Sequence, residues 1–208
     1  MNLAAFFDAV RPLGRGGRLT QTQVSGFEAI ILHCLHEDLT LEHTAYVLAT
    51  AWHETGARME AVREGFAKTD QGSRRAVARL FERGIIRQNY ALPQSNGNSY
   101  YGRGFVQLTH LENYAKTGHS LGIDLVTYPD RMLDTDVSIR AMVWGMVTGA
   151  YRGKSLEDIL PYAEPTLDEW INARDIINGD VKKNGKMIAQ YAIAFYEALK
   201  GANDEPIY

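Results

Sequence analysis

Apolar residues recur three or four positions apart through most of the chain, which is the spacing of amphipathic helices with one buried face. The segments with this spacing span about 20–37, 41–54, 74–84, 110–121, 136–150, 155–160, 166–177 and 186–200. Alternation of apolar and polar residues, which marks a half-buried strand, is short and rare. The pattern therefore predicts a mostly α fold with a small β component.

Local signals place several helix ends. The pairs Thr20/Gln23 and Thr166/Glu169 have the spacing of a capping box, in which each side chain bonds to the backbone of the other residue and opens a helix. Gly201 follows the last apolar segment and is predicted to end that helix.

Two internal stretches lack helical spacing. Residues 57–70 are predicted to be extended or irregular. Residues 85–101 are rich in Asn, Ser, Gly and Pro and form a predicted loop, whose length indicates a function beyond connection. The tail, 202–208, is expected to be loose, as chain ends commonly are.

Length and composition limit the class of protein. A chain of 208 residues with 45% hydrophobic and 23% charged residues is typical of an ordinary globular protein, so residues 1–208 are predicted to form a single domain. The net charge of −3 gives no global signal for binding nucleic acid. The one cysteine, Cys34, cannot form an intramolecular disulfide, and its apolar surroundings predict a buried, unreactive thiol.

The sequence shows no targeting or membrane signal. The N-terminus lacks a basic segment followed by a longer apolar one, and no window has the length of a membrane span. We therefore expect synthesis in the cytoplasm and no membrane insertion. None of the six histidines belongs to a His-Glu-x-x-His motif, so no metal or other cofactor is predicted. A monomer is the expected state.

The segment Tyr100–Thr109 concentrates groups that suit a sugar. It holds adjacent tyrosines, two glycines, an arginine, an amide and a hydroxyl. Aromatic faces can stack on pyranose rings, while amide and hydroxyl groups can bind the polar substituents. Upstream, His53-Glu54-Thr55 places a carboxylic acid at the end of an apolar helix. A proton donor together with a sugar-binding segment indicates glycoside hydrolysis.

Glu54 is the candidate proton donor. The C-terminal end of a helix carries partial negative charge, and Trp52 together with the apolar helix adds desolvation. Both effects disfavour an ionised carboxylate, as a general acid requires. The competing interpretation is a surface glutamate at a frayed helix end.

A glycosidase usually needs a second carboxylate, and the candidates are Glu60, Glu64 and Asp70. Gly56 is placed to end the helix after Glu54 and lets the chain fold back, so that a later residue can face the acid. In an extended segment Glu60 and Glu64 share one face. Spacing alone therefore leaves both open as the base.

Five segments, in this order, resemble motifs of glycoside hydrolase family 19, which contains chitinases and phage endolysins. They are His53–Thr55, Met59–Glu64, Tyr100–Thr109, Asn113–Tyr114 and Ile177–Gly179. The resemblance covers about residues 40–200, and the Tyr-Tyr-Gly-Arg-Gly block is its specific part. It implies a lysozyme-like, two-lobed fold that is mostly α with a small β part and has a substrate groove between the lobes.

The resemblance also implies an inverting mechanism and gives residues their roles. Glu54 matches the general acid and Glu64 the general base, and Glu64 with Thr109 would hold the attacking water. Carried over position by position, Gln107, Thr109, Asn113 and Asn178 would line the groove. Apart from the resemblance, His53, Tyr101 and Arg103 are further candidates for substrate binding.

Several of these side chains have a structural alternative. His53 and Tyr101 could pack within a lobe, and Arg103 could form a salt bridge beneath the groove instead of keeping the base ionised. Gln107 and Asn178 could bond only to backbone.

Departures from the plant chitinases place the chain nearer to the phage and prophage branch of the family. The plant enzymes are rich in disulfides, which this chain cannot form, and residues 65–99 are closest in style to the phage members. The family's arginine in the last helix has no clear match, although Lys182, Lys183 and Lys186 lie nearby.

The leading hypothesis is an endolysin that hydrolyses β-1,4 bonds of peptidoglycan strands, is made in the host cytoplasm and acts on the cell wall after release. The alternatives are a chitinase acting on poly-N-acetylglucosamine and a non-catalytic glycan-binding protein. The arginine-rich segment 71–88 is either a solvated helix face or a contact with anionic cell-envelope polymers. In each case the expected partner is a glycan rather than a nucleic acid.

Overall fold

The structure is a computed structural model that describes residues 1–160 and 164–204. Helices form most of these two ranges. The helices in these ranges are α1 (Leu3–Val10), α2 (Gln21–His36), α3 (Leu41–Glu54), α4 (Asp70–Glu82), α5 (Leu111–Leu121), α6 (Thr135–Thr148), α7 (Leu156–Ile159), α8 (Leu167–Asn172) and α9 (Lys186–Asp204). None of them is long and apolar enough to cross a membrane.

A two-stranded sheet and several short turns complete the described elements. Strands β1 (Val62–Arg63) and β2 (Arg103–Gly104) are antiparallel, with Val62 opposite Gly104. Single 3₁₀ turns cover Arg11–Leu13, Glu64–Phe66, Pro129–Leu133 and Ala173–Ile176, and a π turn covers Val181–Gly185. The predicted mostly α fold with a small β component is confirmed.

The described residues divide into two compact units. The first contains residues 1–59 and those from Val143 onward, and the second contains Glu60–Met142. Helix α6 contributes residues to both. Glu54 therefore belongs to the first unit and Glu64 to the second.

Helix α3 forms the centre of the first unit, where it packs against α9 and α2. Every residue of α3 from Glu42 to Trp52 is buried, so this helix has no solvated face. Phe27 of α2 stacks on Trp52 with ring centroids 5.6 Å apart and meets Phe195 of α9 edge to face at 5.3 Å. Because this aromatic cluster fixes the end of α3, it also fixes the backbone at Glu54.

The single cysteine lies in the same core. Cys34 is fully buried, and burial raises the pKa of its thiol to about 12. The thiolate is the reactive form of cysteine, and with this raised pKa it is scarce at neutral pH. The predicted buried thiol is confirmed.

Both predicted capping boxes are present, and they open α2 and α8. Other helix ends differ from the prediction. Helix α1 was not predicted; Asn2 caps it by accepting hydrogen bonds from two backbone N–H groups, and its eight residues are too few for a clear periodic pattern. Helix α4 begins at Asp70 rather than at residue 74, because the Thr69 side chain caps it one turn earlier.

The two C-terminal helices also differ. The segment predicted as one helix over 166–177 is divided into α8 and the 3₁₀ turn Ala173–Ile176. Gly201 does not end α9, which continues to Asp204 because Ala198, Leu199 and Ala202 pack against the core. Of the tail expected to be loose, residues 202–204 are helical and 205–208 lie outside the described residues.

Strand β2 depends on a glycine. Gly104 has a φ of +85°, a backbone conformation that residues with a side chain rarely adopt. A β-carbon at this position would lie 2.4 Å from Ser138 Oγ and 2.9 Å from the carbonyl oxygen of Met132. Ser138 Oγ in turn accepts a hydrogen bond from Phe105 N at 2.7 Å. The close approach of these groups leaves room only for hydrogen.

We therefore expect Gly104→Ala to destabilise the protein strongly. The left-handed backbone costs an alanine about 1–2 kcal/mol, and the overlap with Ser138 adds about 1–3 kcal/mol. Urea denaturation should show a free energy of unfolding lower by about 3 kcal/mol. Gly97→Ala is the matched control, because Gly97 has a φ of +81° but open space around it. Equal losses in the two variants would contradict the proposed overlap.

Candidate active site

Glu54 ends α3 and forms an ion pair with a buried arginine. The helix stops at Glu54, and Gly56 follows with a φ of +56°. Oε1 of Glu54 accepts a hydrogen bond from Arg174 Nη1 at 2.6 Å. The Glu54 side chain is 16% exposed, whereas that of Arg174 is 3% exposed. The carboxyl group is therefore reachable while its partner is enclosed.

Arg174 also binds a second carboxylate. Its Nε donates to Asp180 Oδ1 at 2.5 Å, and Asn184 Nδ2 donates to the other oxygen of Asp180. Burial opposes ionisation of Asp180, but the hydrogen bonds and charge of Arg174 outweigh it and hold the pKa of this carboxyl below its usual value. The guanidinium thus joins Glu54 to a second carboxylate whose ionised form it favours.

The sequence did not predict Arg174 as a site residue. The candidates near this position were Lys182, Lys183 and Lys186, and the described residues show no ion pair between any of these lysines and Glu54. A signal for Arg174 does exist, since the residue lies four positions after the buried Trp170, within an otherwise apolar stripe. An arginine in such a stripe needs a buried acidic partner.

Two more side chains lie close enough to this network to be affected by its charges. Burial lowers the pKa of His53, which is half-buried, so the imidazole is neutral at neutral pH. Burial also raises the pKa of Tyr46, whose enclosed hydroxyl makes no hydrogen bond to a described residue. His53 and Tyr46 therefore add no charge beside the Glu54–Arg174–Asp180 group at neutral pH.

Asn178 lies in the same unit, four residues after Arg174. Its backbone N–H donates to the carbonyl oxygen of Arg174 at 2.9 Å. Its side chain is exposed and makes no hydrogen bond to any described residue. The amide predicted to bind substrate is therefore available for a ligand.

In the second unit, Gly102 and Tyr90 hold Glu64 through three hydrogen bonds. Its backbone N–H donates to the carbonyl oxygen of Gly102 at 2.7 Å, which extends the pairing of β1 with β2. Its Oε2 accepts from Gly102 N at 2.7 Å, and its Oε1 accepts from the Tyr90 hydroxyl. Burial, together with the bond and charge of Glu64, raises the pKa of Tyr90 and keeps this hydroxyl a donor.

Glu60, the alternative base, has a different environment. Its side chain is exposed and makes no hydrogen bond or ion pair with a described residue. A carboxylate without partners has no defined orientation. The structure therefore distinguishes the two candidates, because Glu64 has both oxygens fixed and Glu60 has neither.

Tyr101 and Arg103 lie beneath the surface rather than on it. Tyr101 is fully buried, and Arg103 is 1% exposed with its guanidinium carbon 3.7 Å from the centre of the Tyr101 ring. Arg103 Nε donates to Asp130 Oδ1 at 2.8 Å, and Nη1 donates to the Tyr114 hydroxyl at 3.1 Å. Because both side chains are enclosed, the contacts that they make in the structure are with the protein itself, and their contact with substrate stays a prediction. Arg103 has the structural salt bridge given above as its alternative.

Gln107 lies beside the Glu64 carboxylate. A β-carbon placed on Gly102 would lie 2.8 Å from Gln107 Oε1 and 3.3 Å from Glu64 Oε2, so the two side chains meet at this glycine. Gln107 Nε2 donates to the carbonyl oxygens of Val62 and Gly104, each at 3.0 Å. These bonds fix the amide, and its oxygen makes no hydrogen bond to a described residue.

Thr109 and Asn113 form a separate contact in this unit. Asn113 Nδ2 donates to the carbonyl oxygen of Thr109 at 2.8 Å. The Thr109 hydroxyl is half-buried and makes no hydrogen bond to a described residue. It can therefore bind a water molecule or a ligand.

Within residues 1–160 and 164–204, no three His, Cys, Asp or Glu side chains are grouped to hold a metal.

The chain is similar to known proteins both in sequence and in structure. A family model described as chitinase class I matches residues 37–195. Chitinase 11 of Oryza sativa subsp. japonica is 38% identical over 108 residues, which are 51% of this chain and 37% of that protein. Inactive chitinase-like protein 1 of Hevea brasiliensis is 37% identical over 71 residues, 34% of this chain and 23% of that protein. The chain thus matches well under half of the length of these relatives.

Solved structures share the fold. Chitinase C from Streptomyces griseus is 20% identical, with a TM-score of 0.52, over 96% of this chain and 91% of that one. A bacterial family 19 chitinase is 23% identical, with a TM-score of 0.55, over 98% and 95% of the two chains. At these identities the likeness establishes the fold alone.

A double-mutant cycle on Glu54 and Arg174 would measure the strength of their pairing. We expect Glu54→Gln and Arg174→Met to show a coupling free energy of about 2–3 kcal/mol in urea denaturation, because the pair is largely desolvated. Loss of the Asp180 contact occurs in the single and the double Arg174 variants, so it cancels in the cycle.

The matched control is the ion pair between Arg152 and Asp175, with 44% and 23% exposed side chains. Solvent screens that pair, so its cycle should give less than about 1 kcal/mol. A Glu54–Arg174 coupling no larger than the control would contradict a fixed, buried ion pair.

Proposed function

The chain belongs to glycoside hydrolase family 19, the chitinase class I family, and on this basis we propose that it hydrolyses β-1,4 bonds in glycans of N-acetylated aminosugars. The observation that supports catalysis most directly is the fixed pair of carboxyl groups, Glu54 held by Arg174 and Glu64 held by Tyr90 and Gly102. Family membership alone would not be enough, because one relative carries the name inactive chitinase-like protein.

In the proposed mechanism Glu54 is the general acid. Arg174 occupies Oε1, and Oε2 makes no hydrogen bond to a described residue. The proton is therefore donated from Oε2 to the glycosidic oxygen as the bond to the anomeric carbon breaks. Neutral His53 precedes the acid and contributes to binding of the sugar, as does the exposed amide of Asn178 on the same unit.

Glu64 is the general base in this proposal. Both of its oxygens act as acceptors, as suits a carboxylate. It takes a proton from a water molecule that attacks the anomeric carbon on the face opposite the leaving group, so the configuration inverts. The Thr109 hydroxyl holds this water and the Gln107 oxygen and Asn113 side chain bind polar substituents of the sugar.

We propose bacterial peptidoglycan as the substrate, with cell lysis as the outcome. Residues 65–99 resemble the phage branch, and Arg75 and Arg79 of α4 are exposed together with Arg83, the residue that follows this helix. The three arginines occupy positions i, i+4 and i+8. None of these three arginines has an ion pair with a described residue. Three adjacent positive charges attract anionic polymers such as those of a bacterial envelope. Chitin is the second candidate, since relatives such as chitinase 11 and chitinase C are named for it.

The test compares two substrates and three variants. Purified peptidoglycan and chitin oligomers are incubated with the wild type, Glu54→Gln and Glu64→Gln, and released reducing ends are measured. We expect hydrolysis of peptidoglycan by the wild type and a loss of about 10²–10⁴-fold in each variant, the usual contribution of a general acid or base. Glu60→Gln is the control and should stay within about twofold of the wild type, because its side chain is not fixed.

Each other result has a definite meaning. Cleavage of chitin oligomers alone would identify a chitinase, and cleavage of neither substrate would favour a glycan-binding protein. Loss of activity in Glu60→Gln but not in Glu64→Gln would move the role of base to Glu60.

Tyr90 is a positioning residue for the base in this proposal. Tyr90→Phe removes the donor to Glu64 but keeps the aromatic ring, which lies 5.1 Å from that of His110. We expect kcat to fall by about tenfold or more, since a hydrogen bond to a charged group contributes roughly 1.5–3 kcal/mol, with KM little changed. Tyr196→Phe is matched, because the Tyr196 hydroxyl donates to Glu42 at 2.9 Å in the core. It should cost similar stability without affecting kcat, and an equal fall in kcat would refute a specific role of Tyr90.

A further inference from the structure

The second unit contains a cavity of about 540 Å³ that has no part in the proposed catalysis. Neither Glu64 nor Gln107 nor Thr109 lines it. Its walls come from the start of α4, from the loop before β2 and from the 3₁₀ turn Pro129–Leu133 with the residues that flank it. A volume of this size falls within the range of pockets that hold small ligands.

The charges in the cavity wall are balanced and paired. Three carboxylates and three guanidiniums line it, and they are those of Asp70, Asp130, Asp134, Arg74, Arg103 and Arg131. Asp130 Oδ1 accepts from Arg103 Nε at 2.8 Å, Asp134 accepts from Arg131 at 2.7 Å, and Asp70 lies 2.7 Å from Arg74. Asp130 also binds Arg63 Nη2 through its other oxygen at 2.5 Å, so each charged group of the wall has a partner of opposite charge. The paired groups offer donors and acceptors to a polar ligand.

One enclosed polar group in the wall lacks a partner. Ser99 is 1% exposed, lines the cavity, and its hydroxyl makes no hydrogen bond to a described residue. Arg103, at 1% exposure, also lines the cavity and anchors Asp130 there. The hydroxyl oxygen itself is enclosed, so a ligand hydroxyl or amide bonds to it only after the Ser99 side chain turns toward the cavity. That bond would recover the free energy that an unpaired buried hydroxyl costs.

The side chain of Tyr128 adds an aromatic ring to the wall of the same cavity. Tyr128 lines it and is 63% exposed, the largest exposure among the large hydrophobic side chains of the described residues. Asn98 fixes this wall, because its Nδ2 donates to the carbonyl oxygens of Val126 and Thr127 at 3.0 Å each. An exposed ring on a polar wall whose charges are paired is the combination that suits a sugar, whose ring has apolar faces and a polar edge.

From these four features we infer that the cavity is a second glycan site, which takes one N-acetylhexosamine unit with its ring stacked on Tyr128. The polar edge of the sugar bonds to Ser99, Asp130 and Arg131. The choice of an N-acetylated sugar rests on the proposed function, whereas the cavity and its chemistry do not. Such a site holds a polymer strand on the second unit without taking part in bond cleavage.

The test measures sugar binding by the full chain carrying Glu64→Gln, a variant chosen so that the sugar is not hydrolysed during the titration. Amide resonances are followed by NMR during titration with N-acetylglucosamine tetramer and, separately, with a disaccharide fragment of peptidoglycan. We expect shifts at Ser99, Thr127, Tyr128 and Arg131 that saturate together. Tyr128→Ala should weaken this event by about tenfold, the effect of one lost aromatic contact, while Tyr128→Phe retains it.

Phe81→Ala is the control, because Phe81 is an exposed aromatic residue of the same unit, at 47%, outside the cavity wall. It should leave the titration unchanged, and thermal melting of each variant checks the fold. Saturation by either sugar supports the inference, and a difference between the two sugars identifies the source of the glycan.

The absence of shifts at these residues would overturn the inference, as would a Tyr128→Ala titration equal to that of the starting protein. Neither result affects the proposed catalysis, which is measured independently by hydrolysis with Glu54→Gln and Glu64→Gln. A protein that shows the cavity shifts but no hydrolysis would keep the second site and lose the catalytic proposal.

Discussion

A buried guanidinium must satisfy five N–H donors and one charge, and each unit of this protein is organised around one such group. In the second unit Arg103 lies under the sheet and bonds to Asp130, Tyr114 and backbone oxygens. In the first unit Arg174 bonds to Glu54 and Asp180. Because an unmet donor in the interior is costly, these arginines require the chain around them to take one arrangement.

The glycines of the Tyr-Tyr-Gly-Arg-Gly block follow from this arrangement. Gly104 passes too close to Ser138 for any side chain, and Gly102 presents its N–H to Glu64 where a β-carbon would meet Gln107. The backbone between the two glycines therefore carries the buried Arg103 on one side and reaches the Glu64 carboxylate on the other. A single short segment thus links the interior of the second unit to the candidate base.

The sequence predicted well what depends on local periodicity and poorly what depends on distant pairing. Helix α3 and its end at Glu54 follow from apolar spacing and a glycine, and the structure has both. The Glu54–Arg174 pair joins residues 120 positions apart, which no local pattern can reveal. Residue type alone does not tell whether a side chain lies on the surface or in the interior. Tyr101 and Arg103 were therefore predicted to contact substrate, although both side chains are buried. Gly201 does not end α9, because the packing of this helix outweighs the low helix propensity of glycine.

The contact between Glu54 and Arg174 is a constraint on orientation. Arg174 is shared between two carboxylates, because its Nη1 donates to Glu54 Oε1 while its Nε donates to Asp180 Oδ1. The guanidinium is a rigid, planar fork of donors, so its bonds to Asp180 fix the position from which it holds Glu54. Arg174 contacts only Oε1 of Glu54, which leaves Oε2 as the oxygen for the proposed proton transfer. The orientation of the acid therefore depends on the second carboxylate, which lies on the same unit and takes no part in the proposed bond cleavage.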